Sequence, residues 1–392
     1  MISHFVRLWL NCPSMPEPTN TLIFFPWIRL ESPQIAGMRL VGYERDSPSH
    51  SADVHRILAR YRTATGHPVH TATLVEVNGC VGGSVTQQDL ERVFALQSLL
   101  AFSALASRTL FDQCAIYVNS HHFACNATPY LPGDEGVAVF GRRRDGPAIL
   151  WHTEETYQVV CPPHVSAETS PELENGLLAS LAANQREKWL LPAIELFNLA
   201  NTDSPDVRSH TEVILTVAAL QRAMGVEQQH RKERLAAAFV GALSTVPETR
   251  TLRDCKRVLP TQPAGSSRSL REVWFRDLYQ TRGAFAHGDV RSTGSRSWTP
   301  EEHLCLASYI IPRLVMLRLS TLGLYQIPDE RIDEIGAFDY LLCLRGFKPT
   351  EAEARLGQRL WSHSYFEATR MLRRDRLVAK AVASAVQADA SK

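Results

Sequence analysis

The chain has 392 residues, 44% apolar and 21% charged, with 42 basic side chains against 41 acidic ones and a net charge of +1. That length exceeds one ordinary core and fits two or three domains, and the composition excludes a disordered chain. Near-neutral charge excludes a global field that attracts nucleic acid, so any polyanion site has to be a local patch.

Residues 1–37 carry Arg7, then Pro13, Pro16 and Pro18, ahead of the apolar Leu22-Ile23-Phe24-Phe25. Charge, apolar run and cleavage site are not in signal-peptide order, so an irregular N-terminal arm, or an over-long gene start, is expected there. Residues 38–165 read as an α+β domain of sensing or regulatory type. Strands are expected at Met38–Tyr43, Thr71–Val77, Cys114–Asn119, Gly136–Gly141, Ala148–His152 and Thr156–Val160, separated by Gly, Pro, Asn and Asp. Two helices interrupt them: Val54, Ile57, Leu58 and Tyr61 follow the helical apolar spacing, as does Gln87–Ser107 through Leu90, Val93, Phe94 and Leu100.

Three details of this half invite chemical readings. Asn78-Gly79-Cys80-Val81-Gly82-Gly83-Ser84 lies between a strand and a helix, but lacks the ending of a phosphate loop and reads as a glycine turn. Arg142–Gly146 reads as a hairpin turn. Cys114, His121, His122 and Cys125 are zinc-compatible types, yet their spacing fits no finger, so no metal site is expected. The eight cysteines form no CxxC pair, as in a cytoplasmic protein with reduced thiols. The longest apolar run, Leu99–Ala106, falls well short of the about 20 residues of a membrane span.

A proline-rich linker from Cys161 to Pro171 ends this half. Beyond it the apolar periodicity is helical at about 172–190, 193–201, 209–224, 231–244, 268–286 and 301–323, with Pro192 and Pro312 expected to break or kink two segments. Residues 172–325 are expected to form a bundle and 326–392 a helical extension.

One segment of the bundle carries chemistry: Leu278-Tyr279-Gln280-Thr281-Arg282-Gly283-Ala284-Phe285-Ala286-His287-Gly288. Ser267 or Ser269 can cap the helix start, and Gly288 is where a left-handed terminal residue belongs. A histidine near neutral pKa can move the proton of a 2′-hydroxyl or of a leaving oxygen. An arginine can grip a phosphate bidentately. Five residues apart on an ideal helix, Arg282 and His287 are about 140° apart in azimuth and about 7.5 Å apart along the axis. They converge only if the helix frays at Gly283 or if a second copy contributes. The plainer account pairs Arg282 with Asp277 or Asp289 and leaves His287 as a terminal capping residue.

The string resembles the signature of the HEPN superfamily, in particular its ApeA-like branch, where Leu-Tyr-x-x-Arg leads to His-Gly. The helices from Trp189 to about residue 325 follow in similar order. The resemblance implies an all-α bundle that homodimerises and acts as a metal-independent endoribonuclease, leaving a 2′,3′-cyclic phosphate without a cofactor, in toxin–antitoxin or antiviral defence systems. It implies Arg282 and His287 as the catalytic pair, with Tyr279, Gly283 and Gly288 as supporting motif positions. The position after the arginine, commonly Asn or Asp in that superfamily, is Gly283 here. A catalytically inactive HEPN-like dimerisation or RNA-binding module is therefore the alternative, and an N-terminal active part built on a Cys/His zinc site a third.

Between Arg250 and Pro300, ten basic residues (Arg250, Arg253, Lys256, Arg257, Arg268, Arg271, Arg276, Arg282, Arg291, Arg296) stand against Asp254, Glu272, Asp277 and Asp289. Such a patch suits an RNA backbone, with Arg276 and Arg291 as the contact candidates nearest the motif. The partners implied are RNA, a second copy of the chain and an antitoxin or defence trigger.

Overall fold

The structure, a computed structural model, describes residues 20–30, 32–35, 37–63, 66–108, 118–133, 137–143, 146–152, 158–160, 169–226, 232–257, 268–288, 297–344 and 362–390, with 259, 346, 347 and 355. The chain divides into two compact units: residues 1–108, 116–186 and 202–204, and residues 109–115, 187–201 and 205–392. An α+β region thus precedes a helical one.

The first unit is built on an antiparallel sheet in the order β2-β3-β5-β1-β7-β8-β9, with β6 paired to β5. Its strands are β1 (Asn20–Phe25), β2 (Ser32–Ile35), β3 (Met38–Glu44), β5 (Thr71–Val77), β6 (Cys80–Val81), β7 (Asn126–Tyr130), β8 (Val137–Arg143) and β9 (Gly146–His152). A separate parallel pair joins β4 (Tyr61–Thr63) to β10 (Gln158–Val160).

The expected irregular arm at 1–37 is corrected over its described residues: 20–25 are a central strand, held between β5 and β7. Leu22 and Phe24 join a cluster with Trp27, Tyr43 and helix α1 (Ala52–Leu58), through Val54, Ile57 and Leu58. Ile23 and Phe25 are buried as well, and successive strand residues point to opposite faces. A strand buried on both faces reads as a continuous apolar run rather than an alternation.

Helix α2 (Gln87–Ser107) starts at a reciprocal capping box between Thr86 and Asp89. Asn78 (φ 53°) and Gly79 (φ 79°) form the two-residue hairpin of β5 and β6, with Val77 opposite Cys80. The segment considered as a phosphate loop is therefore a hairpin. The expected strand Cys114–Asn119 lies largely outside the described residues, and its last two positions, 118 and 119, are not in a strand. Helix α3 (Asn175–Ala183), expected in the bundle, belongs to the first unit.

The second unit packs α4 (Leu190–Ala200) on α5 (Ser209–Ala223), α5 on α7 (Leu270–His287) and α8 (Pro300–Thr321), and α6 (Lys232–Ala242) on α7. Helices α9 (Asp329–Cys343) and α10 (Ser362–Ala390) pack together in the same unit. Its centre is aromatic: Trp274 of α7 meets Phe239 at 5.3 Å and Phe338, edge-on, at 5.2 Å. Pro192 and Pro312 end neither helix. Pro192 lies in the first turn, where no amide donor is needed, and Pro312 is buried inside a helix that continues past it.

By length and hydropathy α2 and α8 have the properties of membrane spans, but 67% of each apolar window is buried inside the protein, as in core helices.

Candidate functional site

Helix α7 carries the motif and is fixed at both ends. The Ser269 hydroxyl accepts from the Glu272 amide at 3.2 Å, and Gly288 closes the helix in the left-handed region (φ 72°). Leu270, Trp274, Asp277, Leu278, Thr281 and Ala284 form the buried face. Gln280, Ala286 and His287 are exposed on the opposite side, where Tyr279, Arg282 and Gly283 are half-buried. The helix runs uninterrupted through Gly283. Fraying therefore does not unite Arg282 with His287, and a single copy leaves them about 140° apart around the axis.

Asp277 is committed elsewhere. Its carboxylate, 4% exposed, lies 3.2 Å from His303 Nε2 and accepts from the Trp298 amide at 3.3 Å. The plainer pairing of Arg282 with Asp277 is thus absent, and Asp289 lies outside the described residues. Among the described residues Arg282 makes no hydrogen bond or ion pair, and its guanidinium lies 6.0 Å from the Tyr279 ring centroid. That is the outer limit for a cation–π attraction. His287 is exposed and makes no hydrogen bond or ion pair among the described residues.

Five of the ten basic residues of the patch are paired with acidic side chains. Arg271, 1% exposed, makes a bidentate pair with Asp339 at 2.7 and 2.9 Å and donates to the Leu243 and Val246 carbonyls. Arg257 grips Glu302 at 2.8 and 3.2 Å. Arg250 pairs with Asp375, and Arg268 with Glu272. Arg276, a candidate RNA contact, is held by Glu272 at 2.8 Å and Glu233 at 3.2 Å with its side chain 14% exposed. Arg291 and Arg296 lie outside the described residues, while Arg253 and Lys256 are exposed.

One feature has no signal in the sequence pattern. His210, near the start of α5, sets its ring 5.7 Å from Phe285 of the motif helix. This places a second, exposed histidine beside α7.

In the first unit, His122 is buried with Nδ1 2.8 Å from Asn119 Oδ1, and burial raises the Cys125 thiol strongly. Among the described residues no group of three or more His, Cys, Asp or Glu side chains is arranged for a metal; Cys114 lies outside them. Arg29, Arg39, Glu44 and Ser47 line an open polar cavity of about 440 Å³ along β3.

No family model, curated protein or solved structure matches the chain.

Proposed function

We propose that the second unit is a HEPN-like bundle that cleaves RNA with Arg282 and His287, as a homodimer in the cytoplasm, without a metal. The observation that carries this reading is a contrast between side chains. Arg250, Arg257, Arg268, Arg271 and Arg276 are all spent on acidic partners. Arg282 and His287 have no such partner among the described residues and share the accessible part of a capped helix.

Two copies of α7 side by side supply what one lacks, an arginine and a histidine facing one phosphate. Gly283 suits that approach, since a Cβ built there meets nothing within 4 Å and the position faces outward. A glycine inside a helix costs about 1 kcal/mol against alanine, and close approach by a second backbone offsets that cost. In the cleft one histidine removes the 2′-hydroxyl proton and the 2′-oxygen attacks phosphorus. The bond to the 5′-oxygen breaks, and that oxygen takes a proton from water. Arg282 holds the phosphate oxygens as their charge grows. The products are a 2′,3′-cyclic phosphate and a 5′-hydroxyl. The first unit would then have a sensing or regulatory role, in a toxin or antiviral effector.

A second reading, a HEPN-like dimerisation or RNA-binding module without catalysis, is favoured by Gly283, where the superfamily commonly has a polar residue. Incubation of the purified chain with total RNA in EDTA separates the two. The nuclease reading expects cyclic-phosphate ends from wild type and a loss of about 100-fold or more in Arg282→Ala and His287→Ala. Retained RNA binding with no cleavage by wild type sinks it and leaves the module.

A further inference from the structure

The chain between α6 and α7 turns back along α9. The Thr249 amide and hydroxyl donate to Asp339 Oδ2 and the Gly336 carbonyl, both at 2.9 Å. The Lys256 amide donates to the Cys343 carbonyl at 2.9 Å, and Cys255 Sγ lies 3.7 Å from the Leu342 carbonyl. These bonds run the chain at Cys255 alongside Cys343. A disulfide needs Cα atoms about 4.4–6.8 Å apart, and a backbone hydrogen bond from the next residue holds two chains at that order of separation.

The two thiols differ in kind. Cys343 is buried and Cys255 half-buried, so Cys255 is the one a small oxidant reaches. The hydrogen bond from Cys343, together with the Arg257 amide and guanidinium, lowers Cys255 to about 7 in spite of burial. The same contact and burial raise Cys343, with Asp254 adding to the rise and Arg250 opposing it. A thiolate beside a protonated thiol is the arrangement of an attacking and a resolving cysteine.

We propose that Cys255 and Cys343 form a peroxide-responsive dithiol that closes reversibly to a disulfide. The Cys255 thiolate attacks one oxygen of hydrogen peroxide, the O–O bond breaks, and hydroxide leaves and takes up a proton as water. The Cys343 sulfur then attacks the sulfur of the Cys255 sulfenic acid. The S–O bond breaks, and the leaving hydroxide takes the Cys343 proton as a second water. Two thiols are oxidised by two electrons and one peroxide is reduced to two waters. The bond would lock segment 249–256 to α9, whose Asp339 holds Arg271 of the motif helix. The proposal stands independently of the nuclease reading.

The test treats the full reduced chain with a slight excess of hydrogen peroxide, blocks remaining thiols and maps tryptic peptides by mass spectrometry. The expected product joins Asp254-Cys255-Lys256 to the peptide that holds Cys343, appears before the exposed Cys80 is oxidised, and reverts with dithiothreitol. Cys343→Ser, shown by circular dichroism to be folded, should accumulate a dimedone-trapped sulfenic acid at Cys255. The idea is overturned if wild type keeps both thiols alkylatable once Cys80 is oxidised, or stops at the sulfenic acid with no cross-link.

Discussion

Gly283 is where the residue scale bears most on function. It is helical and its Cβ position is open within one copy, so Gly283→Ala should raise the stability of the single bundle by about 0.5–1 kcal/mol, seen as a higher urea midpoint at dilutions where the chain is monomeric, while weakening the dimer. Gly288 lies five residues on with φ 72°, and Gly288→Ala should cost about 1–2 kcal/mol because a side chain strains that backbone. Equal effects at the two sites would contradict the helix end described. Asp339 tests the buried pair: with Asp339→Ala the Arg271 charge is left buried, at a cost of about 3–5 kcal/mol in the same assay. A change under 1 kcal/mol would mean that water reaches the pair. These roles were only partly legible. Arg282 and His287 stand out by spacing, whereas Arg271 and Arg257 look like members of a basic surface patch because their acidic partners lie 68 and 45 positions away.

Among the elements, β1 matters most to the first unit. A chain beginning at Met38 lacks the strand between β5 and β7 and should leave that unit unfolded, read as rapid proteolysis of residues 38–160. Phe24→Ala in the full chain should cost about 3–5 kcal/mol, since Phe24 is wholly buried and packs edge-on to Tyr61 at 4.9 Å. A folded, protease-resistant truncation would restore the irregular arm. Helix α2 and strand β5 are legible to the residue, because a capping box marks the one and glycine and proline punctuation the other. By contrast β1, β4, β6 and β7 escape pattern reading. They are short or doubly buried, and pairing between distant segments, such as β4 with β10, leaves no local signal. The long helices of the second unit show their apolar stripes, so their order is the best-read part of the chain.

For the whole molecule, the central claim is that one copy is incomplete. Helix α7 is continuous and holds Arg282 and His287 on different azimuths, and we propose that the pair is assembled across two protomers. The sequence alone leaves two ways to unite the pair, a frayed helix at Gly283 or a second copy, and the continuous helix removes the first. Mixing purified Arg282→Ala with His287→Ala, each inactive alone, tests it most directly. Once subunits exchange, mixed dimers carry one intact Arg282 facing one intact His287, and metal-independent RNA cleavage should return to about a quarter of the wild-type rate, given random pairing and one intact cleft half per mixed dimer. A mixture that exchanges subunits yet stays as inactive as either variant, while wild type cleaves, would contradict the shared site.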